Sequence, residues 1–285
     1  MTLRQLISRF RWRVGATVTL VLVEAAIELL FPLFIGLAIN DLLDDSYAGV
    51  FWLAGLGVVA LAVGSARRFY DTRAYAGIYE AIAPELVARE HARDTETSKI
   101  AARTTLAGEF VEFLENSMPE IVSATIGTVG MLVIIAGLDI NVFFACLGLL
   151  ALMAVTYWAS AGHNLALNRG YNDELERQVT TIDSRQPEMI GGHFRALMRW
   201  NKKLSDLETL NYVVVWVGVI ALLTYAPIQV IEPGETEYGF AFSTILYVFQ
   251  YVDALVALPL FIQQLIRLRE ISTRLATDEI VDVES

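Results

Sequence analysis

Residues 14–39, VGATVTLVLVEAAIELLFPLFIGLAI, decide the architecture of this chain, and among them only Glu24 and Glu28 are charged. A helix of about 20 residues covers the roughly 30 Å of hydrocarbon in a bilayer, so the run is long enough to span. Five more runs read the same way: 48–64, 121–138, 142–161, 212–231 and 238–266, with Asp253 as their single charge. The second and third are slightly short and must continue as helix into more polar flanks. The pattern predicts an all-α membrane protein with six transmembrane helices. A hydrophobic content of 55% exceeds that of an ordinary soluble domain and agrees. The first run is a full span ending at polar Asn40, not a short apolar core before a small-residue cleavage site, so it is expected to stay as a helix.

The charges orient the spans. The connections after spans one, three and five hold Asp41, Asp44, Asp45, then Asp139, then Glu232, Glu235 and Glu237, with no basic residue. All 21 Lys and Arg fall on the other side. The positive-inside rule then puts the N- and C-termini in the cytoplasm. The net charge of -11 is accordingly partitioned between an acidic outer mouth and three carboxylates within the spans, above a nearly balanced cytoplasmic side. Topology accounts for the basic residues, and no nucleic-acid motif is present. Cys146, the single cysteine, lies mid-span as a small packing residue and excludes a disulfide within the chain.

Two long cytoplasmic connections, 67–117 and 160–211, match in length, and each reads as helix, break, helix. The breaks are expected at Asp94–Thr104 and at Thr181–Gly192, where Ser184, Pro187, Gly191 and Gly192 are poor helix-interior residues. Arms of about twenty residues would project roughly 30 Å from the membrane. In the first, Phe110, Phe113, Leu114, Met118 and Ile121 form an apolar stripe beside Glu109, Glu112 and Glu115, acids expected to face solvent and pair with Arg89 or Arg93. A weak echo between Pro84–Glu90 and Asn172–Gln178 suggests that spans two and three repeat the plan of spans four and five. Ahead of the first span, residues 1–13 read as an interfacial elbow helix. Leu3, Ile7, Phe10 and Val14 share a stripe there, and Arg4, Arg9, Arg11 and Arg13 are placed for phosphate head groups and membrane lipid.

With the elbow, the first span ending LFPLFIGLAIND (30–41) and two long arms in place, the chain resembles the transmembrane domain of exporter-type ABC transporters. The likeness runs over essentially the whole chain, and it is greatest to the six-span branch that consists of the membrane domain alone. It implies the ABC exporter-like (type IV) fold over 14–275, ending in an acidic tail, 276–285. It also implies a domain-swapped homodimer in which spans four and five reach across to the partner, and arm breaks that dock nucleotide-binding domains. The chain departs from the usual exporter in lacking a Gly-x-x-x-x-Gly-Lys-Ser/Thr loop, and only eighteen residues follow Arg267. The expectation is a non-enzymatic subunit of a bacterial cytoplasmic (inner) membrane, with ATP hydrolysis in a separately encoded ATPase.

The intramembrane acids carry the chemistry. Glu24 falls about 15 Å into span one, and Glu28 lies one turn further on the same face. Asp253 sits within span six, with Gln250, Tyr247 and Tyr251 near it along the helix, while Arg67 and Arg68 lie near the cytoplasmic end of span two. Ionised carboxylates facing lipid cost several kcal/mol, so these acids should line a polar cavity, find partners or take up protons. Two readings follow. Glu24, Glu28, Asp253, Tyr251, Gln250, Arg67 and Arg68 form a pathway for a cationic or amphipathic substrate or a proton, or the acids pair with Arg67 or Arg68 and only fix helix packing. No Glu-x-x-His motif accompanies them, and His91, His163 and His193 are isolated outside the spans, expected to be interfacial or solvated rather than metal ligands. No cofactor is implied. Two alternatives to an ATPase-driven subunit remain: an ATP-independent transporter or channel using these carboxylates, and a non-transporting membrane scaffold.

Overall fold

The computed structural model describes residues 8–231 and 237–281, except the side chains of 262, 266, 267 and 269–281. Its helices are α1 (Arg11–Leu43), α2 (Ala48–Ala92), α3 (Thr97–Glu112), α4 (Met118–Leu138), α5 (Ile140–Glu176), α6 (Gln178–Asp183), α7 (Pro187–Val230) and α8 (Tyr238–Val281). A π-helical turn, Phe113–Ser117, joins α3 to α4, and no strand occurs among the described residues. Such a composition follows from the solvent. Hydrocarbon offers no hydrogen bonds, so a spanning segment must satisfy its own peptide groups. Six of the helical stretches are long and apolar enough to cross a membrane.

Several helices continue far past a bilayer's thickness. At 1.5 Å per residue the 45 residues of α2 extend about 67 Å, so the spans and the arms predicted after them are single rods. The first break is tighter than the composition suggested, occupying only Arg93–Glu96, with Asp94 closing α2 at a φ of 55°. The second contracts to Ser184–Gln186, because Pro187 starts α7, where its missing N–H costs nothing, and Gly191 and Gly192 lie inside that helix. At the other end, α8 runs to Val281, through much of the expected tail; residues 282–285 lie outside the described residues. Of the elbow, Leu3, Arg4 and Ile7 also lie outside them, and α1 begins after a turn at Phe10.

The chain divides into two compact units, Met1–Leu138 with Pro233–Ser285, and Asp139–Glu232. In the first, α1 and α2 form an antiparallel pair. The Asp41 carboxylate accepts the Gly49 N–H (2.6 Å) and caps α2, while Arg9 reaches Glu85 (2.6 Å) near the far end. Arg9 holds the exposed Glu85 carboxyl below the usual carboxylate range by hydrogen bonding and charge. Helix α8 returns along α1, and the two backbones touch at Gly36 and Gly239. A Cβ on either glycine would overlap the other's carbonyl oxygen. Pro32 leaves a carbonyl one turn earlier without its helical partner, and α8 covers this opened stretch with hydroxyls. Ser243 donates to Pro32 O (2.7 Å) and Tyr247 to Leu29 O.

Where α2 meets α3, Glu90 is nearly fully buried and accepts from Thr95 (3.1 Å) and Arg103, with Arg93 3.8 Å away. Arg89 pairs with Glu85, so both of these arginines have acid partners on α2 itself. Tyr75, Ile78, Ile82, Phe110, Val111 and Leu114 make the core beneath them, which confirms the apolar stripe on Phe110 and Leu114.

The second unit is one antiparallel pair, α5 and α7, turned through α6. Gly218 accommodates Leu149 and Leu152, Asn211 donates to Ser160 Oγ (3.0 Å), and Trp200 lies over Gly170. His193 Nδ1 meets Glu174 Oε1 (2.8 Å) further along. His193, expected to be interfacial or solvated, is 5% exposed, because this register sets it against α5 opposite a carboxylate.

Gly36→Ala and Gly239→Ala should each cost about 1–3 kcal/mol, since backbone cannot rotate away from the added carbon. Gly55→Ala, which meets open space, should not; melting temperatures in detergent check this. Because the folded Glu85 value is depressed, its tie to Arg9 is present above the unfolded carboxylate's value and is lost as pH falls through the lowered one. Exchange of the first α1 amides, corrected for intrinsic rates, should quicken over that range, and Arg9→Gln should abolish the change.

Candidate functional site

The seven residues singled out in the sequence separate into different environments. Arg67 Nε donates to Glu24, and its Nη1 lies 3.1 Å from Asp71 Oδ2. Asp71 is 3% exposed and accepts from the fully buried Thr17 hydroxyl (2.7 Å). Thr17, Asp71, Arg67 and Glu24 therefore form a chain that fastens α1 to α2. Gly64, one turn above Arg67, leaves room for the Glu24 carboxylate, which would lie 3.0 Å from a Cβ there. Glu24 is thus paired with Arg67.

Glu28 goes elsewhere. With Gln250 and Asp253 it lines a cavity of about 340 Å³ between α1, α4 and α8, walled by Ala25, Leu29, Phe31, Gly127 and Met131. All of these belong to the first unit. Glu24 and Glu28, one turn apart, are thus separated by what faces each: an arginine for one, a cavity for the other. Neither Glu28 nor Asp253 has an ion-pair partner among the described residues. Two carboxylates, an amide and an aromatic ring around an otherwise apolar space can attract a cation, accept hydrogen bonds and hold an apolar body.

Tyr251 is fully buried and absent from the cavity wall, while Arg68 is exposed on another face of α2 and pairs with none of the three acids. Sequence reasoning missed Thr17 and Asp71. Asp71 had an available signal in its four-residue spacing from Arg67, which places both on one helix face. Thr17 had none, because a threonine within a span usually bonds its own backbone. Among the described residues no group of three His, Cys, Asp or Glu could hold a metal ion.

The model of the ABC transporter transmembrane region matches residues 3–231. This chain belongs to that family, and with its six spanning helices it is an integral membrane protein. No curated protein matches it. The match covers Glu24, Glu28 and Arg67 but ends before α8, so Gln250 and Asp253 stand outside it.

Removing Arg67 leaves two acids facing each other without a cation. Arg67→Gln should destabilise the protein by about 2–3 kcal/mol, somewhat below the loss for a fully buried pair, since Glu24 and Arg67 are partly open. Adding Glu24→Gln should recover part of that loss, and a double-mutant melting cycle would measure the coupling.

Proposed function

We propose that this chain is the membrane subunit of an exporter-type ABC transporter, working as a homodimer, with ATP hydrolysis in a separately encoded ATPase. The observation that carries transport is the cavity holding Glu28, Gln250 and Asp253 at spanning depth, with neither carboxylate ion-paired among the described residues. A substrate with a cationic centre and an apolar body fits its lining. Such a substrate would enter because its charge is better accommodated there than in lipid, and Phe31 and Met131 would receive its apolar part.

Two features support the assembly. Spans four and five form a compact unit of their own, as helices that reach toward a second protomer would. The arms end in short breaks at Arg93–Glu96 and around α6, and in the proposed orientation both face the cytoplasm of a bacterial inner membrane, where an ATPase would dock. The buried Glu90 cluster would hold the first break in a fixed shape. A simple channel has no use for arms of this length, and a scaffold has no use for a cavity with unpaired acids.

Co-purification of the native complex should recover an ATPase. In liposomes, transport of a hydrophobic organic cation should need that ATPase and ATP, and Glu28→Gln or Asp253→Asn should reduce it about tenfold or more, with a smaller effect on a neutral analogue. Flux through this chain alone, lost in the same variants, would favour an ATP-independent transporter instead.

A further inference from the structure

The arginines of the first unit sort by depth. Arg9, Arg67, Arg89, Arg93 and Arg103 each pair with an acid. Arg11, Arg13, Arg68 and Arg73 form no ion pair among the described residues. Measured along the helices from the α1–α2 turn, Arg68 and Arg73 lie about 30 Å and 37 Å down α2, while Arg13 and Arg11 lie about 45 Å and 48 Å down α1. A hydrocarbon core of roughly 30 Å grows to about 40–45 Å with its headgroup layers, so Arg68 lies near the inner edge of the hydrocarbon and Arg73 and Arg13 at headgroup depth. An arginine there needs no protein carboxylate if a lipid phosphate stands beside it.

Two of the four, Arg13 and Arg73, lie along the α1–α2 seam. Tyr70, Arg73 and Gly77 share one face of α2 by helical spacing. The Tyr70 hydroxyl donates to Arg13 O (3.3 Å), and the Arg13 guanidinium lies against Gly77, where an added Cβ would be 2.9 Å from its Nη1. Arg13 therefore brackets the turn of α2 that carries Arg73. Arg73 rests over the Phe69 ring (5.1 Å) and donates to Phe69 O (3.0 Å), an i−4 contact that a stronger acceptor can replace. Glu80, the acid further along that face, pairs with neither. Phe69, beneath Arg73, is exposed, as aromatic residues are at a membrane interface.

We propose that Arg13 and Arg73 form a binding site for the phosphate of an anionic glycerophospholipid, with Phe69 against its glycerol and upper acyl region. The lipid would clip α1 to α2 on the membrane side of the Arg9–Glu85 contact.

The test is native mass spectrometry of the delipidated full chain in detergent, titrated with phosphatidylglycerol or with phosphatidylcholine of the same acyl chains. Wild type should retain phosphatidylglycerol preferentially, with apparent affinity falling roughly fivefold for each arginine removed in Arg13→Gln and Arg73→Gln, and phosphatidylcholine binding unchanged. Arg9→Gln, which removes the same charge next to the seam, should keep the preference. Arg73→Gln alone guards against misfolding, since its side chain is exposed, and an unchanged melting temperature verifies it. Undiminished phosphatidylglycerol retention in both seam variants, or an equal loss in Arg9→Gln, would overturn the proposal. So would complete displacement by millimolar inorganic phosphate, which would assign the site to a soluble anion.

Discussion

Hydrocarbon supplies no hydrogen bonds, and most of what is particular about this structure answers that fact. The peptide groups of the spans answer it by helix formation. Beside Pro32, which interrupts the hydrogen bonding of α1, hydroxyls from Ser243 and Tyr247 on α8 bond the Pro32 and Leu29 carbonyls, and α8 lies close. Closeness in turn requires Gly36 and Gly239, because any side chain at the crossing would occupy backbone volume. A proline, two glycines and two hydroxyls, distant in sequence, are parts of one solution.

The same requirement sorts the charged side chains. Glu24 is satisfied by Arg67, itself held by Asp71 and Thr17, and it serves as a fastening between α1 and α2. Glu28 and Asp253 have no such partner among the described residues and border open space. An unpaired intramembrane acid is costly, and a cavity that admits a cation or water is the arrangement in which that cost is lowest. The fastening and the cavity share one helix, α1, so movement of α1 against α2 would be felt by the cavity through Glu28. In α2, α5 and α7 the arm continues the span helix without interruption, while a π-helical turn, Phe113–Ser117, separates α3 from α4.

Much of this was legible in advance. The six helices long and apolar enough to span, and the buried stripe residues Phe110 and Leu114, depend on local composition and periodicity. Breaks were harder: Gly191 and Gly192 suggested a longer interruption than Ser184–Gln186, since packing against α5 offsets a glycine's weak helix preference. His193 looked solvated because nothing near it in sequence indicates that Glu174, on the opposite helix, faces it. The Glu90 cluster was hidden likewise, its carboxylate enclosed by side chains from beyond the turn.

The sequence by itself determined the number of spans, their lengths and the segregation of basic from acidic connections, because transfer of a segment into a bilayer depends mainly on that segment's own residues. Only the tertiary structure decided what each acid does. Glu24 and Glu28 are chemically alike and one turn apart, and their difference lies in Arg67 on α2 and in Gln250 and Asp253 on α8. Hydrogen bonds form only at contact distance, so the identity of the nearest helix, not the position in the chain, sets whether a carboxylate is paired or borders open space.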